Sequence, residues 1–335
     1  MIARTLKHFA MRISEARAFG PIVRKLEKCS RNHARLRVLA YHRIDDLRAD
    51  SPYHPGLISA SPEQFVTQMV FLANHYHVCS MADTIVASRS EAVLPSDSVL
   101  LTFDDATKDF AHHAWPVLRS LGLPAALFVP TIFPDNPAVG FWWDQLYRAI
   151  MKSPGGTSIP AVAGSVTLSS DKQRQQLFRS LKEYLKTIPH SEFRQRLNDI
   201  VTAGGVPEPS DNNVLSWDAL RQLDREGVTL APHSHTHPML NRMTPAEIRF
   251  ELKTSVEVLE SQIGHRVLRT LAYPAGGVND TVVEAMQAGG FDTAFTTQRG
   301  VNDQTFEDPF RLRRINVGAR TTLGLLRLQL ANWGN

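Results

Sequence analysis

Eight short apolar runs, separated by stretches with helical spacing, constrain the fold of this chain more than any other feature. They fall at 37–41, 77–80, 99–103, 125–129, 228–232, 268–273, 293–296 and 312–317. Each is rich in β-branched or aromatic residues and too short for an independent helix, so each reads as a buried strand. Between them lie helical patterns with start and stop signals. The stretch 62–74 follows a Ser61 cap, and 110–121 stops at Gly122. The stretch 245–263 has Thr244 as cap, Glu247 at the third position and Gly264 at its end. These are the marks of a capping box and a glycine stop. Strands alternating with helices predict a mainly parallel sheet. Eight of them in 335 residues predict an α/β fold, an irregular or incomplete (β/α) barrel with parallel strands and an inserted helical region. An open doubly wound sheet is the alternative. No GxGxxG or GxxxxGK[ST] follows an early strand, which argues against nucleotide binding.

The rhythm breaks at 134–215. Pro134, Pro137, Pro154, Gly155, Gly156, Pro160 and Gly164 precede a polar helical stretch at 171–185. This region reads as an insertion on one barrel loop, within a domain spanning 35–330. Ahead of it, residues 1–34 read as a basic amphipathic helix, with Ile2, Leu6, Phe9, Ile13 and Ala16 at spacings of three and four.

Charge is unevenly distributed. Residues 1–31 hold eight basic residues against two acidic ones, whereas the remainder holds 29 against 31. The basic balance therefore belongs to the N-terminal segment. No nucleic-acid signature accompanies it, so no nucleic-acid partner is expected. Its apolar stretches are broken by charge every few residues, which does not suit a secretory signal. No run is long enough to span a bilayer. The segment is expected to pack on the domain with its charges in water, or to lie peripherally on an anionic membrane surface. The expected compartment is the cytoplasm. Two cysteines, Cys29 and Cys79, give no disulfide framework and no CxxC knuckle.

The chemistry-bearing residues cluster where apolar runs stop. "RVLAYHR" ends in His42, "VLLTFDD" in Asp104 and Asp105, and "VTLAPHSHTH" in His233, His235 and His237. "LRTLAYPAGG" ends in a Pro-Gly turn. In a parallel barrel the C-terminal strand ends share one face, where active sites lie. His233 and His237 are spaced i, i+4, so both rings can face one way. Two neutral imidazoles and one carboxylate, from either aspartate, suit zinc or another divalent first-row metal. A cation there also accounts for adjacent acids. One would bind it, and the other would stay ionised as a base for water.

These residues resemble the polysaccharide deacetylases, the family that includes chitin-oligosaccharide and peptidoglycan N-acetylglucosamine deacetylases. The resemblance covers about residues 36–320 outside the insertion. Its first motif, TFDD followed by Gly, corresponds to Thr102-Phe103-Asp104-Asp105-Ala106. Its second, His-Ser/Thr-x-x-His, corresponds to His233-Ser234-His235-Thr236-His237. Its third, Arg-x-Pro-Tyr-Gly, corresponds to Ala272-Tyr273-Pro274-Ala275-Gly276.

The resemblance implies Asp104 as general base and Asp105, His233 and His237 as metal ligands. Zinc comes first, with cobalt, nickel and iron as alternatives. His235 would be the variable residue between the ligands. The backbone N–H of Ala275 would help stabilise the oxyanion, with Tyr273 beside it on the substrate side.

Three departures stand out. Ala106 replaces a glycine, a mild change if φ there is negative. The motif-three arginine is Ala272, for which Arg314 in "FRLRRINV" is the candidate substitute; the alternative for Arg314 is a surface ion pair. The usual C-terminal histidine is missing after Leu312, but His42 on the first strand resembles the acid of the circularly permuted branch that deacetylates exopolysaccharide. His42 is therefore the expected general acid. Trp142 and Trp143 would stack on sugar rings or anchor the insertion. The expected function is metal-dependent removal of N-acetyl groups from an N-acetylglucosamine-type glycan. The alternatives are hydrolysis of another C–N bond or an O-acetyl ester, and a carbohydrate-binding pseudoenzyme.

Overall fold

The structure, a computed structural model, describes residues 34–48 and 50–331. The basic helix expected at the N-terminus falls on residues outside this range.

All eight expected strands form. They are β1 (Arg35–Tyr41), β2 (His77–Cys79), β3 (Ser98–Phe103), β4 (Ala126–Val129), β5 (Thr229–Pro232), β6 (Thr270–Ala272), β7 (Thr293–Arg299) and β8 (Leu312–Asn316). Their order in the sheet is β6-β7-β8-β1-β3-β4-β5, with β2 beside β3. Every one of these pairings is parallel. β2 and β4 share one edge of β3, the first pairing with its start and the second with Thr102 and Phe103. The outer strands β5 and β6 meet through the His233 ring, whose Nδ1 lies 2.7 Å from the Ala272 carbonyl oxygen. The sheet is thus nearly closed into a barrel, not left open as a doubly wound sheet.

Side chains alternate along each strand, as a pleated sheet requires. Val38, Leu100, Phe128, Ala231, Ala272 and Phe295 form the cluster inside the barrel. Leu39, Tyr41, Leu101, Phe103, Leu127, Leu230, Leu271 and Tyr273 join the larger cluster between sheet and helices. Burying one such large side chain contributes roughly 1.5–3 kcal/mol, so both layers favour this register.

The helices start where their caps predict. α1 (Pro62–His75) has a complete capping box from Ser61 and Gln64. The segment after β3 opens with a single π turn, Phe110–Ala114, and continues as a short α-helix, Trp115–Ser120. Between β4 and β5 lie α4 (Trp142–Met151), a hairpin (Ser158–Pro160 with Ser165–Thr167), α5 (Asp171–Leu185) and α6 (His190–Gly204), numbered with α2 (Met81–Ser88) and α3 (Trp115–Ser120). These elements share their own apolar cluster, including Leu146, Ile150, Ile159, Phe178, Leu181 and Leu197. α4 and α6 approach so closely that a Cβ at Gly204 would sit 2.8 Å from the Ala149 backbone. α7 (Trp217–Arg225) leads into β5, and α8 (Pro245–Ile263) leads away from it. Among the described residues, no helix is long and apolar enough to cross a membrane.

Candidate active site

β3 delivers the acid pair. The Asp104 N–H donates to the Tyr41 carbonyl (2.9 Å), the last rung between β3 and β1. The backbone then enters the left-handed region at Asp105 (φ 74°) and Ala106 (φ 50°). That turn separates the environments of two neighbouring carboxylates.

Asp104 meets Arg314 in a bidentate pair, Nη1–Oδ1 and Nη2–Oδ2 both 2.8 Å. Arg314 is fully buried, and its Nε donates to the Thr296 carbonyl (2.8 Å). It is therefore an interior partner of the acid, not a surface ion pair. Burial works to raise the Asp104 pKa, but the Arg314 guanidinium, with His233 and His42 nearby, outweighs it and holds the carboxyl below its ordinary value. His42 Nε2 lies 3.8 Å from Asp104 Oδ2, with a quarter of its side chain exposed. The His42 N–H is anchored on Ser59 Oγ at 2.9 Å.

Asp105 turns to the histidines. Its Oδ1 is 3.5 Å from His233 Nε2 and 3.3 Å from His237 Nε2. These three buried donors lie within 4.8 Å of one another and form a group that can hold a metal ion. Two donors about 2.1 Å from one cation are separated by roughly 3.0–3.4 Å, so the spacing fits. Asp105 Oδ1 is buried without a hydrogen-bond partner, an orphan that a cation would satisfy. The Ala272 carbonyl can only accept, so His233 carries its proton on Nδ1 and turns the Nε2 lone pair toward the group. Burial, opposed by Asp105, lowers the His237 pKa and favours the neutral imidazole that a metal needs.

The motif-three turn forms over Pro274–Gly276. Its hydrogen bonds come from the N–H groups of Gly276 and Gly277, to Tyr273 and Pro274. Ala275 is exposed at its apex with φ 53°. Gly276 is required there, since a Cβ would sit 2.1 Å from Thr297 Oγ1.

One expectation is corrected, and the condition attached to Ala106 is not met. Tyr273 does not reach the site. Alternation along the strand sends its ring outward, fully buried in the layer between sheet and helices. Ala106 does not have negative φ; it holds an alanine in the left-handed region, which strains the backbone.

Trp142 and Trp143 occupy different positions. Trp142 packs edge-on against Phe193 of α6 (5.5 Å). Trp143 stacks on Phe141 (4.5 Å) and sets its ring 5.0 Å from that of His237. It is buried and forms a wall behind His237, not an open platform for a sugar.

Sequence reasoning missed Glu251. This residue of α8 is buried, and it accepts hydrogen bonds from the His235 and Thr236 N–H groups and the Thr236 hydroxyl. The signal was an acid on the apolar stripe of Ile248, Leu252 and Ser255.

The acid pair and the Asp-His-His group thus lie together at the C-terminal ends of the parallel strands. Residues 167–294 match the family model for polysaccharide deacetylase. The match includes His233, His237 and the motif-three turn; the acid pair lies upstream of it. Two solved structures share the fold. The Streptococcus pyogenes deacetylase PplD in complex with acetate is 18% identical with a TM-score of 0.59, covering 88% of this chain and 98% of that one. IcaB from Ammonifex degensii is 17% identical with a TM-score of 0.55, covering 89% and 97%. At these identities the likeness concerns the fold alone. The poly-beta-1,6-N-acetyl-D-glucosamine N-deacetylase of Escherichia coli K12 is 31% identical over 100 residues, 30% of this chain and 14% of that protein. Over residues 167–294 the chain is thus similar to the polysaccharide deacetylase family.

Proposed function

We propose that this chain is a metal-dependent hydrolase that removes N-acetyl groups from an N-acetylglucosamine-type glycan. The observation that carries the reading is the division of labour between two adjacent buried acids. Asp104 is clamped by Arg314, and Asp105 faces His233 and His237. Asp105, His233 and His237 would hold a divalent cation; zinc suits the donor set best, and cobalt, nickel and iron share it. When bound, such an ion polarises a carbonyl and lowers the pKa of water.

The remaining work falls to the chain. Asp104, kept ionised by Arg314, accepts the proton of the attacking water. The bidentate clamp fixes its carboxylate plane, so little reorganisation accompanies that transfer. The Ala275 N–H, at the exposed apex of its turn, donates to the oxygen of the acetamide as negative charge develops. His42, partly exposed on the other side of Asp104, donates a proton to the leaving amine. The similarity to the E. coli poly-beta-1,6-N-acetyl-D-glucosamine N-deacetylase supports the choice of glycan.

Acetate release from poly-β-1,6-N-acetylglucosamine and from chitin oligomers tests this, before and after chelation and zinc replacement. Acetate should appear only in the metal-loaded protein. None from any amino-sugar substrate with metal bound would sink the reading, and acetate only from O-acetylated glycans would replace it with an esterase. Asp104→Asn should lose about 10²–10⁴-fold in turnover yet keep its metal, whereas Asp105→Asn should lose the metal.

A further inference from the structure

We infer that Glu251 is a positioning residue that sets the spacing of the His233 and His237 imidazoles; the inference rests on the metal-site reading above.

The two ligand histidines are joined by a turn that local backbone preference does not favour. Ser234 (φ 62°) and His237 (φ 59°) both sit in the left-handed region without being glycine. Such residues persist only where surrounding structure over-determines them. Inside the turn, the His237 N–H donates to Ser234 Oγ at 3.1 Å. From one side, the Thr131 and Ile132 N–H groups donate to the carbonyls of Ser234 and His235. From the opposite side comes Glu251. Its Oε2 accepts the N–H groups of His235 and Thr236, both at 2.8 Å, and its Oε1 accepts the Thr236 hydroxyl at 2.6 Å.

Only 2% of Glu251 is exposed. A buried carboxyl group is tolerated only where hydrogen bonds satisfy it, and here every donor belongs to one turn. Two consecutive N–H groups converging on one oxygen form an anion-receiving concavity in the backbone. Filling it from α8 locks the three residues between the ligands. The ring centroids of His233 and His237 are 4.7 Å apart, at 77° to each other. That relation is set by the backbone Glu251 holds.

The test is zinc affinity by chelator competition, with the Co²⁺ absorption spectrum as a second readout and the melting temperature of the metal-free protein as a fold control. Glu251→Ala should weaken zinc binding about 10–100-fold, the range for residues that orient ligands, and should shift the Co²⁺ spectrum. Glu251→Gln should stay within about threefold of the parent. Its amide oxygen can take both N–H groups while its NH₂ donates to the Thr236 hydroxyl. A folded Glu251→Ala protein with parental zinc affinity and Co²⁺ spectrum would overturn the inference. If Glu251→Ala does not fold, Thr236→Val, which removes one donor, should weaken zinc measurably, and parental affinity there overturns it equally. Asp105→Ala separates the two levels. If the parent binds zinc no better than Asp105→Ala, the metal-site reading fails and this inference falls with it.

Discussion

Two sets of buried acids differ in their surroundings, which push their pKa values in opposite directions. Asp104 and Asp105, at the mouth of the barrel, are 3% and 2% exposed; Asp109 and Asp144, where the tail of β1 meets the insertion, are both 7% exposed. Burial raises the pKa of all four. At the mouth that effect loses. Asp104 has a bidentate guanidinium, which holds its carboxyl below its ordinary range. At the junction burial wins. Asp109 accepts the Ile44 N–H at 2.6 Å, with Arg43 Nε only at 3.8 Å, and its pKa rises. Asp144 accepts the His54 N–H at 2.6 Å and is pushed up to about 7. Equal burial therefore does not mean equal charge. A guanidinium in direct contact keeps Asp104 ionised, whereas Asp109 and Asp144, each with a backbone donor and more distant guanidiniums, follow the effect of burial.

Removing the cation from the first pair should make it behave like the second. Arg314→Ala leaves Asp104 buried with no clamp, so its pKa should rise. A base works ionised, so the acid limb of the kcat/KM profile should move to higher pH. Loss of a buried partner should also destabilise the fold by about 3–5 kcal/mol in urea titrations. An unmoved acid limb would contradict the assignment of Asp104 as the base held by Arg314.

The second pair gives a smaller effect of opposite sign. The Asp144 carboxyl changes from 3.8 to about 7 on folding. The folded state binds the extra proton between those values, so stability is lost as pH rises through that window. Asp144→Asn keeps an oxygen for the His54 N–H and never ionises. It should stabilise the protein by about 1–3 kcal/mol at pH 8, with the gain shrinking toward pH 4. Urea melts at both pH values measure this, and a gain independent of pH would break the comparison.

The smallest effect belongs to the turn after the first pair. Ala106→Gly relieves a left-handed alanine but adds chain entropy to the unfolded state, for a net gain of roughly 0.5–1 kcal/mol in thermal or urea unfolding. Destabilisation would show that the buried Ala106 methyl matters more than the strain.

Much of the fold was legible in local sequence. The strands announced themselves as apolar runs because the sheet is buried on both faces, and the caps at Ser61 and Thr244 form as read. The candidate site was legible where residue type alone carries the chemistry, at Asp104, Asp105, His233 and His237. It failed where direction decides. Tyr273 stands in the right motif, but strand alternation turns it into the outer layer. Glu251 went unread because only the packing of α8 behind β5 brings a helix acid to a turn fifteen residues upstream.

By itself, the sequence determined a parallel α/β barrel and the donors gathered at its mouth, because strand propensity, capping and donor chemistry are local properties of the chain. Tertiary structure decided that Arg314 is the partner of Asp104. The two residues are 210 positions apart, and no periodicity links them. They meet because β8 and β3 flank β1 in the sheet, and because a buried carboxylate and a buried guanidinium are each tolerable only in the presence of the other.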